Sequence, residues 1–164
     1  MALQARYQVA AADIDRVRIG TYRPALDIAC YDRPASANEA RFSLKYVVAS
    51  ALVYGSVRMA AYEPARLDDP ATRALMELTE VAVDAELDAA FPDQRAARIE
   101  FDMKDGRRLS YLQPNRKGDP EEPLSDADLS AKFLELSGPI IGAERSRSMI
   151  ERLWQLELAQ DLLA

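Results

Sequence analysis

Apolar and polar positions along this chain switch between two spacings, and the switches lay out its elements. Residues 2–9 read as the last turns of a helix. From Asp13 to Tyr22, Ile14, Val17, Ile19 and Thr21 interleave with Arg16 and Arg18, as in a half-buried strand. A loop with Arg33-Pro34 follows, and Ser36-Ala37-Asn38-Glu39 forms a capping box that predicts a helix running to Gly55, a natural residue just past a helix end. Ser56 can cap a shorter helix to about Tyr62, and Asp69-Pro70 opens another, Ala71 to about Leu78. The period then shortens. Val81-Ala82-Val83 reads as a short strand, and Ala97, Ile99 and Phe101 alternate with Arg98, Glu100 and Asp102. Asp105-Gly106 is a hairpin signal that puts Leu109 and Tyr111 on the return strand. A polar loop, Asn115 to Pro123, leads to a helix capped at Ser125 and running through Leu136. Gly138-Pro139 is expected to break it, and a last amphipathic helix is expected from Ala143 to about Leu163.

The order β-α-α-α-β-β-β-α-α defines an α+β fold class. Short connections and three late, sequential strands predict a mostly antiparallel sheet of about four strands with helices on one face. Its 164 residues fit a single domain over 1–164, long enough to bury a core, and a composition 49% hydrophobic and 29% charged is that of a globular chain. A net charge of −6 repels phosphate, so nucleic acid and anionic membrane are excluded as expected partners. The longest largely apolar run, Tyr46 to Tyr54, is far short of the roughly 20 residues a bilayer span needs, and the first residues do not read as a signal peptide. The single Cys30 has no internal partner for a disulfide, which fits an expected cytoplasmic location.

Histidine is absent from the chain. No Ser-His-Asp triad, histidine relay or histidine-bearing zinc motif can be assembled, and the absence fits either chance or a catalytic half located elsewhere. Two clusters carry candidate chemistry. On the helix after Ser36, the residues Glu39, Ser43, Tyr46, Ser50 and Tyr54 fall within an arc of about 80° at 100° per residue, on an element otherwise apolar nearly all round. Hydroxyls buried on such a helix must meet partners, either neighbouring protein or a ligand. In the second case Tyr46 is a donor or general acid and Ser43 its companion. Arg107, Arg108, Arg116 and Lys117 beside Gly118 suit carboxylate or phosphate, or form a solvated hairpin and loop. No acidic spacing matches a calcium loop and no glycine pattern matches a phosphate-binding fingerprint.

The segment Glu39-Ala40-Arg41-Phe42-Ser43-Leu44-Lys45-Tyr46, with Ala49, Ala51-Leu52 and Gly55, resembles the hallmark helix of the MmgE/PrpD family. Gly118-Asp119-Pro120, Pro123-Leu124-Ser125, Leu129 and Lys132-Phe133 are similar to that family's loop and late helix, and Ser148 to Trp154 to its closing helix. The matches are collinear from about Ile14 to Leu156. The resemblance implies 2-methylcitrate dehydratase, cis-aconitate decarboxylase or iminodisuccinate epimerase types of activity, lyase or isomerase chemistry on small polycarboxylates as in propionate metabolism. It implies no metal or organic cofactor. It also implies that this chain is the smaller α+β lid domain, whose partner is a helical N-terminal domain bearing the family's catalytic histidines and lysines. On the same basis Tyr46 is the expected catalytic contributor, with Ser43, Arg116 and Lys117 as expected substrate-binding residues. An isolated chain of this kind is expected to be inactive alone, to expose an apolar surface where the helical domain docks, and to self-associate as a homo-oligomer such as a dimer.

Overall fold

A computed structural model describes residues 7–158 of the chain. The expected helix over residues 2–9 lies largely outside them, as does the end of the last expected helix. The chain divides into two compact units, one ending at Arg116 and the other beginning at Lys117.

The first unit is built on a four-stranded sheet of β1 (Ile14–Thr21), β2 (Thr79–Val83), β3 (Ala97–Met103) and β4 (Arg108–Gln113), in the order β2-β1-β3-β4. The expected α+β class holds, and two of the three pairings are antiparallel, but the sheet is mixed. β1 pairs parallel with β2 and antiparallel with β3. The three later strands are consecutive in the chain, yet β2 and β3 are not neighbours in the sheet, because β1 lies between them. The reason is connectivity: β1 and β2 are joined by a long helical excursion, which returns the chain in the same direction, whereas β3 and β4 are joined by the Asp105-Gly106 turn. Gly106 sits there at φ 87°, a conformation glycine adopts without strain.

The spacing of three between Ile14 and Val17 is reconciled by a register shift between Ile14 and Arg16. That bulge returns Val17, Ile19 and Thr21 to the face that Ile14 occupies, and all four are buried. Phe101, Met103 and Leu109 from β3 and β4 complete the strand contribution to the core. Each large side chain so buried contributes roughly 1.5–3 kcal/mol by leaving water. The helices of this unit are α1 (Arg23–Ile28), α2 (Ala37–Arg41), α3 (Leu44–Tyr54), α4 (Pro64–Leu67), α5 (Pro70–Glu77) and, after β2, α6 (Ala85–Ala89), and all but α1 bury side chains. α3 packs on α5 and β2, burying Tyr46, Ala49, Ala51 and Leu52. Leu75 and Met76 of α5 join that layer.

α1 and α6 have only one or two turns each, too short to show a 3.6-residue period, and neither was anticipated. Pro24 starts α1, and Asp84 caps α6 by accepting from the amides of Glu86 and Leu87. Ser56 caps no helix: residues Met59–Tyr62 form a 3₁₀ turn whose entry residue, Arg58, makes no side-chain cap.

The second unit is a helix pair, α7 (Asp126–Ile141) and α8 (Ala143–Leu153), followed by a 3₁₀ turn at Leu156–Leu158. α7 opens on the expected cap, a full capping box in which Ser125 Oγ accepts from the Asp128 amide at 3.1 Å and Asp128 returns the bond. Gly138-Pro139 does not break it. Pro139 falls in the last turn, where its missing donor removes a single bond, and the turn still closes with the Gly142 amide on the Gly138 carbonyl. The stop comes at Gly142, φ 86°. Trp154 Nε1 donates to Ser130 Oγ at 3.0 Å and ties α8 to α7. Of the residues in these two helices only Ser146 is buried.

Candidate functional site

The helix expected from Ala37 to Tyr54 is two helices. Ser43 is the reason. Its backbone is extended (φ −125°, ψ 107°), and its Oγ accepts from the Tyr46 amide at 3.2 Å, so it serves as the N-cap of α3. Serine competes with the helix for its own backbone donors, and here the competition ends one helix and starts the next. Glu39 belongs to the first helix and reaches back to accept from the Ala35 amide at 2.7 Å. The five-residue stripe is therefore divided, and only Tyr46, Ser50 and Tyr54 share the face of one continuous helix.

The structure brings Ser43 and Tyr46 together in the first unit, both buried, at 1% and 0% exposure. The Tyr46 hydroxyl donates to the carbonyl of Ala61, in the 3₁₀ turn beyond the helix. Its ring lies 6.3 Å from that of Tyr62, over which the Arg41 guanidinium sits at 4.8 Å. Burial pushes the Tyr46 phenol above its ordinary pKa, with the Ser50 hydroxyl one turn along opposing the shift. The phenol is thus held protonated, a donor rather than a base at neutral pH. Ser50 Oγ and Thr72 Oγ1 are buried without a hydrogen bond of good geometry. Tyr54 carries the Arg66 guanidinium 4.2 Å from its ring centroid.

Beside this buried row a cleft of about 420 Å³ opens among Cys30, Tyr31, Asp32, Lys45, Thr79 and Glu80. Lys45, adjacent in sequence to Tyr46, projects into it and pairs with Asp32 at 2.5 Å. The sequence carried the signal as a neighbour of Tyr46, but one cation beside an apolar helix reads as a solvated tip until a cleft is seen around it. On the sheet, registered neighbours Arg18 and Glu100 pair at 3.1 Å, while Asp102 receives Arg18 at 2.6 Å and Arg108 at 2.9 Å. Bonds from the Arg18 guanidinium, then from Arg108, hold the Asp102 carboxyl well below the usual carboxylate range. This network balances its own charges.

Of the basic residues, Arg107 engages the turn residue Asp105 at 2.7 Å and Arg108 engages Asp102. Arg116 ends the first unit. Lys117 begins the second, where its ammonium pairs with Asp128 at 3.1 Å. Among the described residues no group of three His, Cys, Asp or Glu side chains is arranged to hold a metal ion, and no helix is long and apolar enough to cross a membrane.

The amino-acid sequence matches a known domain class over almost all of the chain. Residues 1–156 fit the MmgE/PrpD C-terminal domain, and the chain belongs to that family. Among similar proteins is a cis-aconitate decarboxylase-like protein, oryM, of Aspergillus oryzae, 29% identical over 133 residues that cover 80% of this chain and 27% of the relative. The cis-aconitate decarboxylases of mouse and human are 26% and 25% identical over 128 residues, covering 78% of this chain and 26% of theirs. The chain thus spans about a quarter of the length of these relatives.

Proposed function

We propose that this chain is the lid part of an MmgE/PrpD-type lyase acting on a small polycarboxylate, and that its site is completed by a helical domain of the same family. The observation that carries the reading is the family match over residues 1–156 in a chain that spans a quarter of its relatives. The relatives' names favour cis-aconitate, decarboxylated, as the first substrate to assay. Dehydration of a 2-methylcitrate-like acid is the neighbouring reaction in the same chemistry. Both pass through a carbanion beside a carboxylate, and a protonated phenol suits stabilising that charge or delivering the proton. Tyr46 is the proposed donor, and Ser43 sets its helix. Lys45 at the cleft is the nearest candidate to orient a substrate carboxylate, and Arg116 and Lys117 remain proposed substrate contacts. No histidine base is present, so proton removal falls to the helical domain.

A second reading, a binding or interaction domain without catalysis, is favoured by one observation: the Tyr46 hydroxyl is already committed to the Ala61 carbonyl. In the catalytic reading, joining the helical domain must release that bond. Co-expression with a family helical domain, assayed for loss of CO₂ from cis-aconitate and loss of water from methylcitrate, separates the two. Turnover in the complex that falls about a hundredfold or more in Tyr46→Phe supports the lid role. Full turnover by this chain alone, or turnover indifferent to Tyr46→Phe, sinks it.

A further inference from the structure

Helix α3 carries a hydroxyl that the resting fold does not use. Ser50 is 0% exposed and lies one turn beyond Tyr46 on the same helix. A serine or threonine in or at the end of a helix ordinarily satisfies itself on the carbonyl four residues back. Three hydroxyls of this chain do so: Thr79 donates to Leu75 at 2.7 Å, and Ser137 to Phe133 and Ser146 to Gly142 at 2.8 Å. Ser50 does not. Among the described residues its Oγ and Thr72 Oγ1, on the α5 helix that packs against α3, are the buried side-chain atoms without a hydrogen bond. A polar atom left so costs stability, and each one in a native chain calls for a reason.

The Tyr46 phenol supplies the reason. Ser50 is close enough to oppose the rise that burial imposes on the Tyr46 pKa. The Tyr46 proton is committed to the Ala61 carbonyl, but the phenol oxygen keeps lone pairs with which to accept. Its other neighbours divide: Tyr62 from the 3₁₀ turn and Tyr54 on α3 itself raise that pKa, while Arg73 from α5 lowers it. Each guanidinium nearby has its own engagement, Arg41 and Arg66 over the rings of Tyr62 and Tyr54, and Arg73 on the Pro34 carbonyl at 2.9 Å. A neutral phenol gains little from a serine donor. A phenolate gains more, because a hydrogen bond to an ionised oxygen is shorter and about twice as strong. The unspent Ser50 hydroxyl therefore suits Tyr46 after proton loss better than before it.

We infer that Ser50 is a positioning residue for Tyr46, its hydroxyl turning onto the phenolate oxygen as the phenol gives its proton to a substrate carbanion. In that step the Tyr46 O–H bond breaks and its electron pair stays on oxygen. The carbanion pair forms the new C–H bond, and Ser50 keeps its own proton. This rests on the lid reading above and adds what holds the charge of the donor once the proton has left.

A fluorotyrosine placed at position 46 of the full chain by codon suppression gives one ¹⁹F line and a phenol that ionises at lower pH than tyrosine. Ser50→Ala should make that phenol about tenfold weaker as an acid, and Ser50→Thr, which keeps the hydroxyl, should restore it. Thermal unfolding of Ser50→Ala at neutral pH should be unchanged or improved, since no resting hydrogen bond is lost. An unmoved ¹⁹F titration, or a marked fall in stability that makes the hydroxyl structural, overturns the assignment. In the complex with a co-expressed helical domain, Ser50→Ala should lower kcat for cis-aconitate about tenfold at unchanged KM, with Ser50→Thr recovering it. Turnover that needs Tyr46 but ignores Ser50 overturns the assignment alone. A moved titration in a chain whose complex turns over neither cis-aconitate nor methylcitrate overturns the lyase reading alone, and Ser50 stands as the partner of the phenol.

Discussion

The sheet unit and the helix pair use similar side chains to opposite ends. In the sheet unit Ile14, Val17, Phe101 and Tyr46 are at most 1% exposed, and the helices exist because a strand face lies beneath them. In the helix pair, chemically equivalent residues such as Ile140 and Leu153 stay in contact with water. The capping of α7 is complete, so local signals alone set where this helix starts, while packing contributes little to holding it. One unit therefore has a buried core, while in the other many apolar side chains are exposed and Ser146 is the one buried residue of its two helices.

Substitutions break that comparison in graded steps. Phe101→Ala, at the centre of the sheet, should cost about 3–5 kcal/mol in urea or thermal unfolding of the isolated chain. A cost below 1 kcal/mol would mean that the sheet unit is as loosely packed as the helix pair. Tyr46→Phe leaves the Ala61 carbonyl without its donor in a buried site and should cost about 1–3 kcal/mol, read by the same unfolding curves. Ser43→Ala removes the cap of α3 and should cost about 1 kcal/mol, with Ser43→Asp recovering most of it.

The sheet's ion network gives a smaller, pH-dependent step. Because the folded Asp102 carboxyl titrates below its unfolded value of about 3.9, its contribution is present above that pH and fades as the medium acidifies further. Asp102→Asn should accordingly flatten the acid limb of stability against pH, and an unchanged limb would remove the network from the account. Smallest of all, Ile140→Ala and Leu153→Ala in the isolated chain should shift unfolding by no more than about 0.5 kcal/mol, since both side chains lie outside the buried core. A loss comparable to that of Phe101→Ala would show that the helix pair has a core of its own.

What the sequence made legible was local. The Asp105-Gly106 turn, the cap at Ser125 and the alternation in β3 each depend on residues a few positions apart, and all three stand in the structure. The strand β1 was equally legible, yet its place between β2 and β3 was not, because pairing over sixty residues leaves no trace in spacing. Ser43 illustrates the limit within a helix. As a polar residue on a helical stripe it looked like a pocket-lining hydroxyl, but the same oxygen can cap, and only the tertiary bend at Phe42 decides which. For Tyr46 the apolar surroundings predicted burial, while its partner, the Ala61 carbonyl, lies fifteen residues away across Gly55 and could not be inferred. For Lys45 the sequence shows only a cation beside Tyr46, because a cleft is a property of elements brought together from residues 26–45 and 79–81.

The parallel ladder of β1 with β2, Val17 against Thr79 through Thr21 against Val83, clamps the two ends of everything between them. Ser43, Lys45, Tyr46, Ser50 and Ala61 all fall inside that one excursion, whose exit and return points are hydrogen-bonded neighbours. In evolutionary terms the excursion is a cassette. Its residues can be replaced, or its loops lengthened and trimmed, without rethreading the sheet that carries it.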